Sequence, residues 1–245
     1  MIALFQTVVY QPIFNSFVLL YNFIPDVGVV ILVITVVIKL LLYPLTASSI
    51  KAQKSLSEMQ PRLDELKAKF KDDKQLLAQE TMKMYKEHKV NPLGSCLPIL
   101  VQLPIFIALY MVLQAGLASN NFDKLYPFVT NPGQLNTVTF GLFDLKNNSI
   151  VLALLAGAAQ YFQSKMFIRK KAPKVAGEGA KDENMTAMMN KQMLYFLPLM
   201  TAFIGMKMPA GLTLYWFLST LLTVAQQMIL FRKTGTDVGA LTVQK

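Results

Sequence analysis

Five mostly apolar stretches, each about 20 residues long, constrain this chain more than any other feature, because that length lets an α-helix cross the hydrocarbon core of a bilayer. They run over 27–47, 93–117, 148–168, 190–207 and 211–231. Backbone N–H and C=O groups find no water in lipid, so such stretches have to be helical. The sequence therefore predicts an all-α polytopic membrane protein with five transmembrane helices.

The charge content agrees with a membrane class. Charged residues make up 16% of the 245 residues, whereas a soluble domain carries roughly 25%. A net charge of +10 would suggest nucleic acid as the partner of a soluble protein. Here the basic residues lie in loops beside apolar spans, where they indicate topology. We therefore expect no specific nucleic-acid partner.

The basic residues alternate between the two sides that five spans would create. Residues 48–90 contain ten Lys or Arg, residues 169–189 contain five, and the tail 232–245 contains three. Residues 1–26 contain none and residues 118–147 contain two. Positively charged loops stay in the cytoplasm. The N-terminus and the 118–147 loop are thus predicted outside, and the C-terminal tail in the cytoplasm.

Residues 1–26 form the first extracytoplasmic segment in this topology. Amide side chains interrupt its apolar character, and Pro12 breaks its periodicity. These amides are Gln6, Gln11, Asn15 and Asn22. An interfacial segment fits this pattern better than a sixth span.

The 48–90 segment has helical periodicity. Apolar residues recur at spacings of three and four from Leu56 to Phe70, which draws a narrow seam along one helix. Asp72 and Asp73 then provide a turn and an N-cap, and a second helix follows up to Asn91. The pattern predicts a cytoplasmic helical hairpin.

Lys39 is the anomalous residue of the first span. It lies eight or nine residues from the cytoplasmic end, which is about 13 Å at 1.5 Å per residue. A lysine near the bilayer centre costs about 2.5–3.5 kcal/mol. The spans contain no acidic residue to pair with it. Snorkelling toward the headgroups is one explanation; water or an acidic ligand beside the ammonium is the other.

Other polar residues of the spans are spaced so that they share helical faces with Lys39 or face it from other spans. We expect a hydrophilic groove lined by Thr35, Lys39, Tyr43, Gln102, Gln160, Gln163, Trp216, Thr220 and Thr223. Hydrogen bonding between helices is the alternative role of the amides, and it is the one we expect of Gln226 and Gln227.

Catalytic chemistry is not expected. The sequence has no phosphate-binding loop of the G-x-x-x-x-G-K-[ST] type and a single cysteine and histidine. We therefore expect a non-enzyme without metal or cofactor, which binds other molecules or gives them passage.

Several runs of this sequence resemble the YidC/Oxa/Alb membrane-protein insertases. They are IKLLLYPL at 38–45, YKEHKVNPLG at 85–94, PILVQLPIFIALY at 98–110 and PAGLTLYW at 209–216. The resemblance extends from about residue 10 to residue 233 in order and spacing. It implies a five-span core, a cytoplasmic hairpin, and a groove open to cytoplasm and lipid but closed to the outside.

The resemblance also implies a function. Family members insert nascent membrane proteins into the bacterial cytoplasmic (inner) membrane and help them fold, alone or beside the Sec translocon, without nucleotide hydrolysis. The hairpin and basic loops would meet the ribosome or targeting factors. Where this chain has Lys39 the family usually carries arginine, whose planar fork binds carboxylates in a bidentate way. Lysine preserves only the positive charge.

Two rival functions use the same residues. A small-anion transporter or channel would use Lys39 as its binding site, although the outer half of the spans is apolar. A purely structural assembly factor would tolerate Lys39→Leu.

Overall fold

The computed structural model describes residues 2–70, 73–88, 90–91, 94, 97–118, 122–167 and 192–237. The basic loop predicted over 169–189 and the tail beyond residue 237 lie outside these ranges.

Most of the described chain is helical, as predicted. The helices are α1 (Ile2–Phe5), α2 (Gln11–Phe23), α3 (Val27–Leu41), α4 (Tyr43–Lys69), α5 (Lys74–Glu87), α6 (Leu97–Leu113), α7 (Ile150–Phe167), α8 (Leu197–Gly205) and α9 (Ala210–Asp237). Wider π-helical turns occupy Gln6–Tyr10, Gln114–Ala118 and Gln192–Phe196. A two-stranded antiparallel ribbon, β1 (Val138–Thr139) and β2 (Phe143–Asp144), is an addition to the all-α prediction.

Three described helical stretches are long and apolar enough to cross a membrane: Ala3–Phe23, Leu100–Leu117 and Ala210–Arg232. The number becomes four when α3 and α4 count as one broken span. The membrane class is therefore confirmed, while the count of five spans stays a prediction. Ala3–Phe23 meets the same length and composition test although we expected an interfacial segment there, so its placement also stays a prediction.

The span predicted over 27–47 is not one continuous helix. α3 ends at Leu41, and the Leu42 N–H bonds back to the Ile38 carbonyl at 2.9 Å. Pro44 explains the break, because its ring has no N–H to donate and collides with the preceding turn of a helix. A hydropathy pattern does not register this interruption, since the residues on both sides are apolar.

Contacts divide the chain into two compact units. The first takes in the described residues of Met1–Tyr43, Ile99–Gln160 and Pro198–Thr223. Its core is apolar and combines side chains of α2, α3, α6 and α9. Phe14, Val30, Leu109 and Tyr215 represent these four helices, and each is at most 2% exposed. The periodic apolar faces of the sequence thus pack against each other here.

Small residues let α7 and α8 approach closely within this unit. A Cβ placed on Gly157 would lie 2.9 Å from the Cβ of Ala202 and 3.0 Å from the Pro198 carbonyl. Helices in membranes associate through such small-residue contacts, because lipid provides no hydrophobic drive between them. Gly157 is therefore a packing requirement of the fold.

Hydrogen bonds from polar side chains of α2 hold the loop between α6 and α7. In the hydropathy pattern these side chains are only interruptions of an apolar stretch. Asn15 is 3% exposed; its amide donates to the Lys124 carbonyl at 3.2 Å, and its oxygen accepts from the Tyr126 N–H at 2.6 Å. Asn22 donates to the Thr130 carbonyl at 2.8 Å. Two asparagines of the N-terminal helix thus position the loop.

Asp26 connects the start of α3 to the ribbon in the same loop. Its carboxylate accepts from the N–H groups of Gly28 and Val29, from the Thr139 hydroxyl and from the Phe140 N–H. Phe140 has a φ of +52°, a left-handed conformation that costs a residue with a Cβ about 1–2 kcal/mol. The hydrogen bond to Asp26 helps to hold Phe140 in this conformation.

The second unit contains the helical hairpin. Its helices are α4 and α5, and Asp73 caps α5 by accepting from the Gln75 and Leu76 N–H groups. Met59, Leu63 and Met84 form its buried cluster, so part of the predicted apolar seam does meet the second helix.

Within the same unit Thr46 and Gln226 hydrogen-bond at 2.9 Å, the interhelical role expected of Gln226. The same expectation is wrong for Gln227, whose fully buried amide has no hydrogen-bond partner among the described residues.

Asp26 makes stability depend on pH. Burial alone would raise the pKa of its carboxyl, but the four hydrogen bonds outweigh burial and hold the pKa below the ordinary value of 3.8. A depressed folded pKa contributes stability that is present above the unfolded pKa and lost as the pH falls through the folded pKa. We therefore expect Asp26→Asn to lose about 1 kcal/mol of unfolding free energy at pH 7.

Detergent-titration unfolding at pH 7 and below pH 4 measures this effect. The difference between the native chain and Asp26→Asn should shrink with acidification, while Glu65→Gln, an exposed position on α4, should lose little at pH 7. A difference that stays constant with pH would contradict the role given to the Asp26 charge.

Candidate functional site

Lys39 is half-buried in the first unit. Its Nζ donates to the Thr223 hydroxyl oxygen of α9 at 2.9 Å. The Thr223 hydroxyl in turn donates to the Ser219 carbonyl at 2.8 Å. Two of the predicted groove residues are therefore in direct contact, and a hydroxyl rather than an acid receives the lysine.

The end of α3 at Leu41 changes the environment expected for Lys39. The residue lies in the last turn of α3, and the aligned peptide dipoles place a partial negative charge at the C-terminal end of a helix. A cation there gains about 0.3–1 kcal/mol. The predicted span continued to residue 47 as one helix, so the sequence analysis did not include this stabilisation.

No carboxylate of the described ranges forms an ion pair with Lys39. The ion pairs found there lie on the hairpin, between Lys67 and Asp64 and between Lys83 and Glu80. An ammonium group can donate three hydrogen bonds, and the one to Thr223 is the one that the described residues supply. The arrangement leaves capacity for an acidic group or for water.

Three further predicted groove residues, two threonines and a tyrosine, differ in accessibility. Thr35 and Thr220 are buried, at 1% and 6% exposure, and their hydroxyls donate to the carbonyls of Ile31 and Trp216 in their own helices. Tyr43 is 42% exposed. Of these predicted groove residues, only Tyr43 offers an exposed side chain.

Gln102 and Trp216 take part in contacts within the first unit. The Gln102 amide donates to the hydroxyl of Tyr215, which is the interhelical role we gave as the alternative for amides. The ring of Trp216 meets the ring of Phe106 edge-on, with centroids 5.6 Å apart. Both residues are half-buried.

Gln160 and Gln163 both lie on α7 and are half-buried. Gln160 belongs to the first unit, with Lys39, and Gln163 belongs to the second. Their groove role stays a prediction.

The sequence analysis did not identify Tyr215 as the hydrogen-bond partner of Gln102. Its side chain is 2% exposed, and a buried tyrosine hydroxyl usually has a hydrogen-bond partner. That rule was available from the sequence, because Tyr215 lies in an apolar span and the spans offer few amides. The identity of the partner, Gln102, depends on how α6 and α9 pack.

The contact between Lys39 and Thr223 predicts a specific loss of stability. Thr223→Val removes the oxygen that receives the ammonium and should lower the unfolding free energy by about 1.5 kcal/mol. Thr220→Val is the matched control, because it makes the same isosteric change one turn earlier, where the hydroxyl bonds within its own helix. Detergent-titration unfolding of both variants measures the difference, and equal losses would contradict the contribution of the Lys39 contact.

Comparisons with known proteins indicate the family of this chain. The family model described as "60Kd inner membrane protein" matches residues 19–237. A protein of Fusobacterium nucleatum named membrane protein insertase YidC is 37% identical over 212 residues, which cover 86% of this chain and 89% of that protein. The protein of the same name from Pelobacter propionicus is 34% identical over 222 residues, covering 91% of this chain but 38% of its own length.

A solved structure shares the fold. It is described as an active YidC insertase crystal structure with the first transmembrane domain resolved. The similarity has a TM-score of 0.57 at 23% identity and covers 90% of this chain and 45% of that one.

Proposed function

This chain belongs to the 60Kd inner membrane protein family, and from that membership we propose that it inserts nascent membrane proteins into the bacterial inner membrane and helps them fold without hydrolysing nucleotide. The name of the Fusobacterium nucleatum relative supports insertion, since this chain spans most of that protein at 37% identity. The comparisons offer no such support for anion transport.

The observation that supports this mechanism is the bonding of the Lys39 ammonium group. A basic side chain in an otherwise apolar helix has a threonine hydroxyl, and no described carboxylate, as its partner. Opposite charges attract strongly where water is scarce. Lys39 would therefore hold the short acidic outer tail of a substrate transiently, after the tail enters from the cytoplasm.

Release would follow from partitioning of the substrate's apolar segment. About 20 apolar residues are required to span the hydrocarbon core, and each buried methylene contributes roughly 0.8 kcal/mol. This total far exceeds the attraction of one tail to one ammonium. The groove therefore needs to hold the tail only long enough for the segment to reach lipid.

We propose the groove as those predicted residues that share the first unit with Lys39, with the topology set by the basic loops. Tyr43, which is 42% exposed and lies four residues after Lys39, would contact substrate, while the half-buried Gln102, Gln160 and Thr223 would keep the groove polar. Cytoplasmic placement of the hairpin would let its lysines meet the ribosome, targeting factors or the Sec translocon. The same lysines would also attract anionic lipids.

Labelling of single cysteines tests the topology. In a Cys96→Ser background, Lys146→Cys should react with a membrane-impermeant maleimide in intact cells, whereas Gln75→Cys on the hairpin should react only after lysis. Ala3→Cys should react in intact cells if Ile2–Phe23 lies at the outer interface. A reaction of Ala3→Cys only after lysis would show that this helix spans the bilayer and would overturn the interfacial placement.

Insertion into proteoliposomes tests the function. Vesicles containing only this purified chain should protect a single-span substrate with an acidic outer tail from protease. Lys39→Arg should preserve this activity, and Lys39→Ala should lower it about tenfold, which corresponds to one charge-assisted hydrogen bond. Lys51→Ala, an exposed position on α4, is the matched control and should behave like the native chain.

The substrate provides a second comparison. A tail in which Asp and Glu are replaced by Asn and Gln should insert equally with the native chain and with Lys39→Ala. Equal activity of every variant on the acidic tail would refute the role of Lys39 while leaving insertion intact. No protection above empty vesicles would count against insertion by this chain alone.

A further inference from the structure

A cavity of about 370 Å³ lies in the first unit, between the N-terminal helical stretch, α6 and the loop that follows α6. Tyr10, Phe14 and Met111 give it an apolar lining, and Phe14 is 1% exposed. Asp123 and Lys124, which are exposed, line it on the solvent side. The cavity thus combines an aromatic interior with two opposite charges at its mouth.

Both helices beside the cavity are irregular where they border it. The π-helical turn Gln6–Tyr10 ends at Tyr10, and the π-helical turn Gln114–Ala118 begins at Gln114, which also lines the cavity. π-Turns inside α-helices occur frequently at functional sites. Two of the three π-helical turns in the described ranges border this cavity.

Hydrogen bonds from α2 fix the loop segment that carries Asp123 and Lys124. Buried Asn15 bonds to the backbone of Lys124 and Tyr126, so this part of the loop is fixed on α2. The Lys124 ammonium lies 5.6 Å from the centre of the Tyr10 ring, a cation–π contact. The lysine is therefore positioned over the cavity by two independent contacts.

We propose that this cavity binds a zwitterionic aminophospholipid such as phosphatidylethanolamine. Lys124 would bind the phosphate, Asp123 would bind the headgroup ammonium, and the accessible Tyr110 and Met111 would contact the glycerol and the upper acyl chains. A lipid suits the site because both neighbouring stretches, Ala3–Phe23 and Leu100–Leu117, have the length and composition of membrane spans. With the proposed topology the lipid belongs to the outer leaflet, but its binding to the site does not depend on insertion activity.

Native mass spectrometry of the full chain in detergent tests the site with defined lipids. Phosphatidylethanolamine should bind more tightly than phosphatidylglycerol, which carries no ammonium. Lys124→Gln should weaken phosphatidylethanolamine binding about tenfold. Lys146→Gln, an exposed lysine of the same loop with the same loss of charge, should leave binding unchanged. Thermal midpoints without lipid check that the variants remain folded.

Asp123→Asn should remove the preference for phosphatidylethanolamine over phosphatidylglycerol. Soluble glycerophosphoethanolamine should bind far more weakly than the complete lipid, because it lacks the acyl chains. Equal binding of the two lipids by the native chain would overturn the proposal, and so would equal effects of Lys124→Gln and Lys146→Gln. Binding of the soluble headgroup as tightly as the lipid would replace the lipid by a small phosphate ester.

Discussion

An ammonium group inside an apolar helix requires polar surroundings, and the first unit supplies them to Lys39 from two directions. The carbonyls at the end of α3 provide partial negative charge, and Thr223 of α9 provides a hydroxyl at 2.9 Å. The break at Leu42 is part of this arrangement, because it places the C-terminal end of α3 two residues after Lys39. The lysine thus depends both on a proline that ends its helix and on a threonine that faces it.

The other end of α3 carries the opposite charge. Asp26 caps the helix and receives the ribbon of the α6–α7 loop, and the same loop returns to α9, where the Ala210 N–H donates to the Asn147 carbonyl at 2.7 Å. The first N–H groups of a helix have no partner within it. The loop therefore accepts from the first N–H groups of α9 and donates to the Asp26 carboxylate that caps α3. This gives the helices that carry Lys39 and Thr223 a common anchor.

The sequence predicted the helical membrane class, the family and the hairpin cap at Asp73, since these follow from hydropathy, motif order and local hydrogen bonding. It also indicated that Lys39 needs polar partners. It did not predict the end of α3 at Leu41, because hydropathy is unchanged across Pro44. From the sequence, Asn15 and Asn22 were interpreted only as polar interruptions of an apolar stretch. Their hydrogen-bond partners lie more than 100 residues away in the chain. Contacts at that distance depend on packing, which composition does not encode.

The lysine at position 39 bears on how a substrate tail would be recognised. A guanidinium binds a carboxylate through two parallel hydrogen bonds of fixed direction, whereas an ammonium is a compact charge on a flexible stem. With one of its three donors directed at Thr223, Lys39 retains charge but little directional preference. Recognition by net charge suits an insertase, because acidic tails of many sequences satisfy it equally. The weaker directionality would also favour release, since no bidentate pair has to be broken when the apolar segment enters lipid.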